Sequence, residues 1–461
     1  MQDEPHHVKT LGRRDIVLFT VSAILLLDTL AAGATVGASS IFWWTFLGVI
    51  FFVPYALICS EMGTTYPEQG GLYAWIRDAF GRRWASRATW AYWVNTAVWM
   101  PAIFILFAGI FSQMFLPDLS MGAQIAIGIG LTWLTVVINV ITLDVGKWIP
   151  NLGAVIKLIV IAAIVGGALL HTQDHGMANP LTLRSMLPNE ASSLQYMSVI
   201  IYGMLGFELV NAGSDEMKDP ARDVPRSIFL SGLIIIVMYT LATVAILAAI
   251  PATEINLVEG LMDTLNLFFG QTAAGRAFAL ALGIGALYSF FANGVTWALG
   301  CNRAMAEAAA EGEFPALLAR QHPVLGTPIG AAVVLGTVST VVLLLYGLLA
   351  GTNEDLFWSL FAFSAVIFLL PYILLVFAFA RMRRLDPARH RPFRVPGSNG
   401  VATIIALVCA LVLGMSIVLF VYTPGEGMQW PVAIGAIAVM VIGEIVIRST
   451  EMTRLRAAAV G

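Results

Sequence analysis

The chain has 461 residues, of which 59% are hydrophobic and 11% charged, with a net charge of −3 and a mean hydropathy of +0.84. A water-soluble domain carries roughly 25% charged residues, so this balance excludes a soluble globular or a disordered chain, and it offers no basic surface for nucleic acid. The three cysteines, Cys59, Cys301 and Cys409, sit in or beside apolar runs without CxxC spacing, so neither a disulfide framework nor a zinc site is expected.

Residues 1–14 read as a polar tail, and the apolar run after them is too long for the core of a cleavable signal peptide. Runs of about 20 apolar residues mark membrane helices. They predict an all-α integral membrane protein with 12 spans, at 15–38, 41–64, 86–115, 121–143, 148–170, 193–214, 226–250, 274–305, 327–349, 356–381, 399–423 and 429–448. A short tail, 449–461, closes the chain. Lysine and arginine gather before span 1, after span 12 and in the 2–3, 4–5, 6–7, 8–9 and 10–11 links. The alternate loops are acidic, with Arg184 and Arg276 as their basic residues. By the positive-inside rule both termini are cytoplasmic, and the basic run at 381–394 faces anionic headgroups.

Two spans carry an acid within a flexible stretch, in matching places of the two halves. LLLDTLAAGATVG in span 1 sets Asp28 beside Thr29, ahead of Gly33 and Gly37, and IIYGMLGFELVNAG in span 6 sets Glu208 between Gly206 and Gly213. A charge at the bilayer centre costs at least about 2.5–3.5 kcal/mol, so such residues normally face a cavity, a proton path or a cationic partner. Paired interrupted spans in corresponding halves point to the midplane site of a secondary transporter. Lys157, about ten residues into span 5, is a third intramembrane charge and needs a partner, a snorkelling path or deprotonation.

Aromatic and polar residues supply a candidate pocket. Asn293 and Trp297 share a face of span 8, one turn apart; Trp99 and Met100 lie in span 3, Phe207 adjoins Glu208, and Phe368 and Tyr372 share a face of span 10. Aromatic faces hold ammonium groups by cation–π attraction, about 0.5–2 kcal/mol each. Phe42-Trp43-Trp44, at the start of span 2, reads as an interfacial belt. The six histidines fall in tails and loops, and no catalytic cluster, nucleophile elbow or phosphate loop is visible, so neither an enzyme, a metal site nor a cofactor is expected.

Several segments resemble the amino acid–polyamine–organocation (APC) superfamily: EMGTTYPEQGGLYAWIRDAFG (61–81), GFELVNAGSDEMKDPARDVPRSI (206–228), AMAEAAAEGEFP (304–315) and RPFRVPG (391–397). IPATEINLVEGLMDTL (250–265) is similar to the bacterial glutamate/GABA antiporter branch. The resemblance implies a LeuT-type fold. Spans 1–5 (15–170) and 6–10 (193–381) would form inverted repeats with spans 1 and 6 broken, and spans 11–12 (399–448) would be accessory. It also implies that Lys157 takes the place of a sodium ion, bridging span 1 carbonyls to span 8. Glu208 corresponds to a recurring gating or proton-sensing glutamate.

Where most APC members carry a Gly-Ser-Gly-like stretch for a substrate carboxylate, this chain has LDTLAAG. A carboxylate-bearing substrate would meet Asp28 there, so a cationic amine is the expected substrate and Asp28, Thr29, Leu30 and Gly33 are candidate contacts. The alternatives are a structural Asp28, hydrogen-bonded within the bundle, a Glu208 that only packs, and a glutamate/GABA-type amino-acid exchanger or a non-transporting sensor or channel. The expectation is a secondary active transporter, an antiporter or proton-coupled permease, for an amine, polyamine or cationic amino-acid derivative in the bacterial inner membrane. Its partners are the small substrate, protons and the lipid bilayer, with the oligomeric state open.

Overall fold

The computed structural model describes residues 13–35, 37–67, 71–141, 148–188, 194, 197–209, 219–255, 260–425 and 427–460. It is almost wholly helical, and among the described residues ten helices are long and apolar enough to cross a membrane.

The first apolar run is two helices, α1 (Arg13–Ile24) and α2 (Asp28–Thr35), parted at Leu25–Leu27. The unwound residues are the leucine triplet and not the glycine-bearing stretch after it. Leucine is a good helix former, so the break is held open by tertiary contacts. Next come α3 (Ser39–Leu47), a π-helical turn at Gly48–Phe52 and α4 (Val53–Thr65). Pro54, just beyond the turn, has no N–H to give and its ring crowds the carbonyl four residues back, a recognised cause of such bulges. At the bulge Phe52 packs against Gly232, where an added Cβ would overlap its ring.

Then follow α5 (Leu72–Phe80), α6 (Arg82–Phe115), α7 (Met121–Ile141), α8 (Trp148–His175) and a single turn, α9 (Leu183–Met186). The second broken run opens as α10 (Met197–Tyr202) and continues through non-helical residues 203–206 into a 3₁₀ turn at 207–209. The remaining helices are α11 (Pro220–Ala249), α12 (Gly260–Phe269), α13 (Ala273–Ala310), α14 (Ile329–Gly347), α15 (Asn353–Leu385), α16 (Asn399–Val421) and α17 (Trp430–Val460). A two-residue antiparallel ribbon, Tyr422–Thr423 with Gly427–Met428, joins the last two.

α6 and α15 form the centre: 89% and 78% of their most apolar stretches are buried, against 33% and 28% for α16 and α17. α6 packs on α15, α13 and α7, while α1 packs on α8, α11 and α13. Helix α17 runs 12 residues beyond the predicted end of span 12 at residue 448. In the extension Glu451 bonds Arg83 at 2.9 Å, and Glu444, within the predicted span, bonds Arg87 at 2.9 and 3.1 Å, so that α17 meets the start of α6.

Candidate functional site

Unwinding at Leu25–Leu27 deprives the last carbonyls of α1 of intrahelical donors. The Val21 carbonyl still receives the Leu25 N–H at 3.0 Å. Each of the next three is met by a side chain from a different helix. Lys157 Nζ on α8 donates to Ser22 O at 2.6 Å, Trp297 Nε1 on α13 to Ala23 O at 3.1 Å, and Tyr239 Oη on α11 to Ile24 O at 2.8 Å. Lys157 also donates to Asn293 Oδ1 at 2.6 Å, tying the break to α13. The Tyr239 hydroxyl accepts the Leu26 N–H at 2.7 Å and lies 3.1 Å from Thr29 Oγ1, which donates to Leu26 O at 2.9 Å. Ser22 O, Ala23 O, Ile24 O and both polar groups of Leu26 are thereby satisfied in a setting where an orphan would be costly.

The second break abuts the first. Gly206 sits at φ +112°, and a Cβ there would come within 3.1 Å of Ile24 and 3.4 Å of Trp297, so both backbone angle and space require glycine. Two residues on, the buried carboxylate of Glu208 receives three tyrosine hydroxyls from three helices. Tyr55 of α4 donates to Oε2 at 2.8 Å; Tyr372 of α15 and Tyr92 of α6 donate to Oε1 at 2.6 and 3.1 Å. Among the described residues no cationic side chain pairs with it.

Between the breaks lies a small buried cavity of about 10 Å³, room for one water molecule. Ala23, Ile24 and Leu26 of the first break and Leu205 of the second line it, with Trp99, Tyr202, Trp297, Phe368 and Asn95. The rings are mutually braced: Trp99 and Phe368 each stand nearly edge-on to Trp297, at 6.1 and 5.4 Å, and Tyr202 lies 5.2 Å from Phe368. Asn95 Oδ1 and Trp99 Nε1 are buried and have no hydrogen-bonding partner among the described residues. Aromatic faces beside an unspent carbonyl oxygen suit an ammonium group.

The residues picked from the sequence are thus distributed over three connected places. Trp99, Trp297 and Phe368 line the cavity; Glu208 and Tyr372 share the tyrosine cluster; Lys157, Asn293 and Thr29 hold the first break. Leu30, Met100 and Phe207, proposed as substrate contacts, do not line this cavity. Leu30 is buried in the core, Met100 packs toward Gly294 of α13, and Phe207 faces Phe52, 4.9 Å away. Gly33 lies beside Trp44 and Thr243, where an added Cβ would sit 3.7 Å from Trp44 Nε1. Asp28 opens α2, but its side chain lies outside the described residues, as do residues 210–218 after Glu208.

The expected interfacial belt is also corrected. Trp43 and Trp44 are buried, and Trp44 stacks on Tyr239 at 4.3 Å, bracing the hydroxyl that caps the break. Sequence reasoning missed Asn95, Tyr55, Tyr92, Tyr202 and Tyr239. One signal was available for Asn95: it is an amide in an apolar span, four residues before Trp99 and so on the same face. The tyrosines carried no such signal, because a mid-span tyrosine is ordinary until its hydroxyl has an acceptor.

Ten apolar helices, two discontinuous ones meeting at the centre, and a cavity between their breaks define a multi-spanning membrane transporter. The sequence pattern of the family described as "Amino acid permease" matches residues 11–443, and the chain belongs to that family. It is 35% identical to the "Probable agmatine/putrescine antiporter" of Lactococcus lactis over 439 residues, covering 94% of this chain and 93% of that protein. An uncharacterized transporter of Legionella pneumophila is 30% identical over 421 residues, 88% of this chain and 89% of its own length. More distantly, the "Probable polyamine transporter" of Arabidopsis thaliana is 24% identical over 388 residues, 81% of this chain and 73% of its own.

Proposed function

We propose that this transporter exchanges small organic amines, of the agmatine and putrescine kind, by alternating access. The observation that carries the reading is the cavity between the two breaks, walled by Trp99, Trp297, Phe368 and Tyr202 and offering the Asn95 carbonyl oxygen. As closed here the cavity admits one water; widened by movement of the two breaks, it would hold an ammonium group by ring faces and an acceptor. The Lactococcus relative, whose name gives agmatine and putrescine, supports the same substrate class.

In this reading α1–α2 and α10 with the chain after it are the broken spans 1 and 6. Counted with the ten continuous helices they make twelve, in a LeuT-type arrangement of two inverted five-span repeats plus α16 and α17. Asp28, at the mouth of α2, accepts the substrate ammonium. Lys157 serves as a built-in cation that holds the first break without sodium. Glu208 takes up and releases a proton as the tyrosine cluster opens and closes, coupling protonation to conformation. The segregation of lysine and arginine among the loops supports cytoplasmic termini, in a bacterial inner membrane.

Counterflow tests the proposal. Proteoliposomes loaded with unlabelled putrescine or agmatine should accumulate the labelled amine faster than empty ones, without ATP or sodium. Acceleration by glutamate or γ-aminobutyrate alone would move the assignment to the amino-acid exchanger, and no acceleration by any internal solute would remove the exchange mechanism.

A further inference from the structure

A second cavity, a groove of about 450 Å³, lies on the outer flank of the bundle, starting on α15 at Leu374, six residues past Phe368 of the central cavity. Phe80, Trp84, Leu374, Phe377, Ala380, Arg381, Arg384 and Thr403 line it. Leu374, Phe377, Arg381 and Arg384 recur at the three- and four-residue spacing of one helix face. Along that face the lining is apolar and then becomes basic. Ten residues separate Leu374 from Arg384, about 15 Å at the helical rise, which is the depth of one leaflet's hydrocarbon.

Four arginines of the basic run 381–394, which begins in the last turns of α15, point two ways. Arg383 and Arg391 turn inward onto the buried carboxylate of Glu61, at 2.8 and 3.1 Å. Arg381 and Arg384 turn into the groove. The guanidinium of Arg381 lies 5.2 Å over the Phe80 ring, and Arg384 Nη2 donates to Thr403 Oγ1 at 3.1 Å. Among the described residues neither is paired with a carboxylate. Trp84, at 45% exposure, stands on the rim as an indole at a membrane–water boundary does.

We infer that this groove binds one anionic phospholipid, with an acyl chain along Leu374, Phe377 and Ala380 and the headgroup phosphate between Arg381 and Arg384. The chemistry is complementary at both ends. Two guanidiniums offer forked donors to phosphate oxygens, and a floor without polar side chains accepts a hydrocarbon chain. A soluble anion would use only the basic end. The binding is independent of the proposed substrate, since none of the lining residues reaches the central cavity.

The test uses the purified full chain in mild detergent, titrated with phosphatidylglycerol or phosphatidylcholine and followed by thermal shift and native mass spectrometry. Phosphatidylglycerol should bind with an apparent affinity about tenfold or more above phosphatidylcholine, the scale expected of two interfacial arginines. The double variant Arg381→Gln, Arg384→Gln should lose that preference. Leu374→Trp, which fills the floor and keeps both arginines, should lose it too and guards against misfolding of the double variant. Arg394→Gln, outside the groove, should keep it. Equal binding of the two lipids, a preference that survives Leu374→Trp, or equal stabilisation by inorganic phosphate alone would overturn the assignment.

Discussion

Lys157 reaches across from α8 to put its Nζ 2.6 Å from the Ser22 carbonyl and 2.6 Å from Asn293 Oδ1 of α13. One side chain thereby joins three helices at the point where α1 ends. If Lys157 is the proposed built-in cation, Lys157→Ala removes these charge-assisted bonds from a buried site, each worth about 1.5–3 kcal/mol. It should lower the melting temperature and impair transport. Uptake by the unmodified protein should be insensitive to replacing sodium by choline, and a clear sodium requirement would refute the built-in cation.

Asp28→Asn keeps the size of the side chain and removes its charge. If Asp28 accepts the substrate ammonium, amine affinity measured by calorimetry should fall by about 1.5–3 kcal/mol, some tenfold to hundredfold. Unchanged affinity in a folded variant would return Asp28 to a structural role.

Glu208 is held by three hydroxyls and no cation among the described residues, and in the proposed cycle its proton occupancy changes as the cluster opens. Glu208→Gln fixes a neutral group in place and should flatten the dependence of exchange rate on pH with the fold intact. Tyr372→Phe, which removes the shortest of the three bonds, should shift the pH profile without flattening it. A Glu208→Gln variant with the original profile would place the proton site elsewhere.

Trp297 both caps the Ala23 carbonyl and forms a wall of the cavity. Trp297→Phe retains a ring and loses the bond; Trp297→Leu loses both. Amine binding should fall stepwise, with the second step about 0.5–2 kcal/mol for the lost ring face. Equal affinities in the two variants would show that the ring face does not contribute.

Glu61 accepts from Arg383, Arg391 and the Val395 N–H, the last at 2.7 Å, and so clamps the end of α4 to the last turn of α15 and the chain following it. Glu61→Ala leaves Arg383 buried without its counter-charge, which costs about 3–5 kcal/mol. A large loss of thermal stability is expected. A loss no greater than that of an exposed salt-bridge variant, under about 1 kcal/mol, would contradict it.

Hydropathy alone determined the class of this protein, because burying a helix in hydrocarbon demands a long apolar run and leaves little freedom in where the charges fall. The acids at Asp28 and Glu208 and the lysine at 157 also stood out in the sequence, since each is costly in such a run. The sequence did not say where the first helix would open. Leu25, Leu26 and Leu27 favour helix, and they unwind because Lys157, Trp297 and Tyr239, 132 to 272 residues away by the numbering of Leu25, supply the donors that a continuous helix would supply to itself. Nor did it gather Tyr55, Tyr92 and Tyr372 around one carboxylate, turn Trp44 inward onto Tyr239, or sort the arginines of 381–394 into a buried clamp and an outward groove. Those outcomes depend on which helix faces meet, and a hydroxyl or guanidinium acquires a role only once packing has chosen its acceptor.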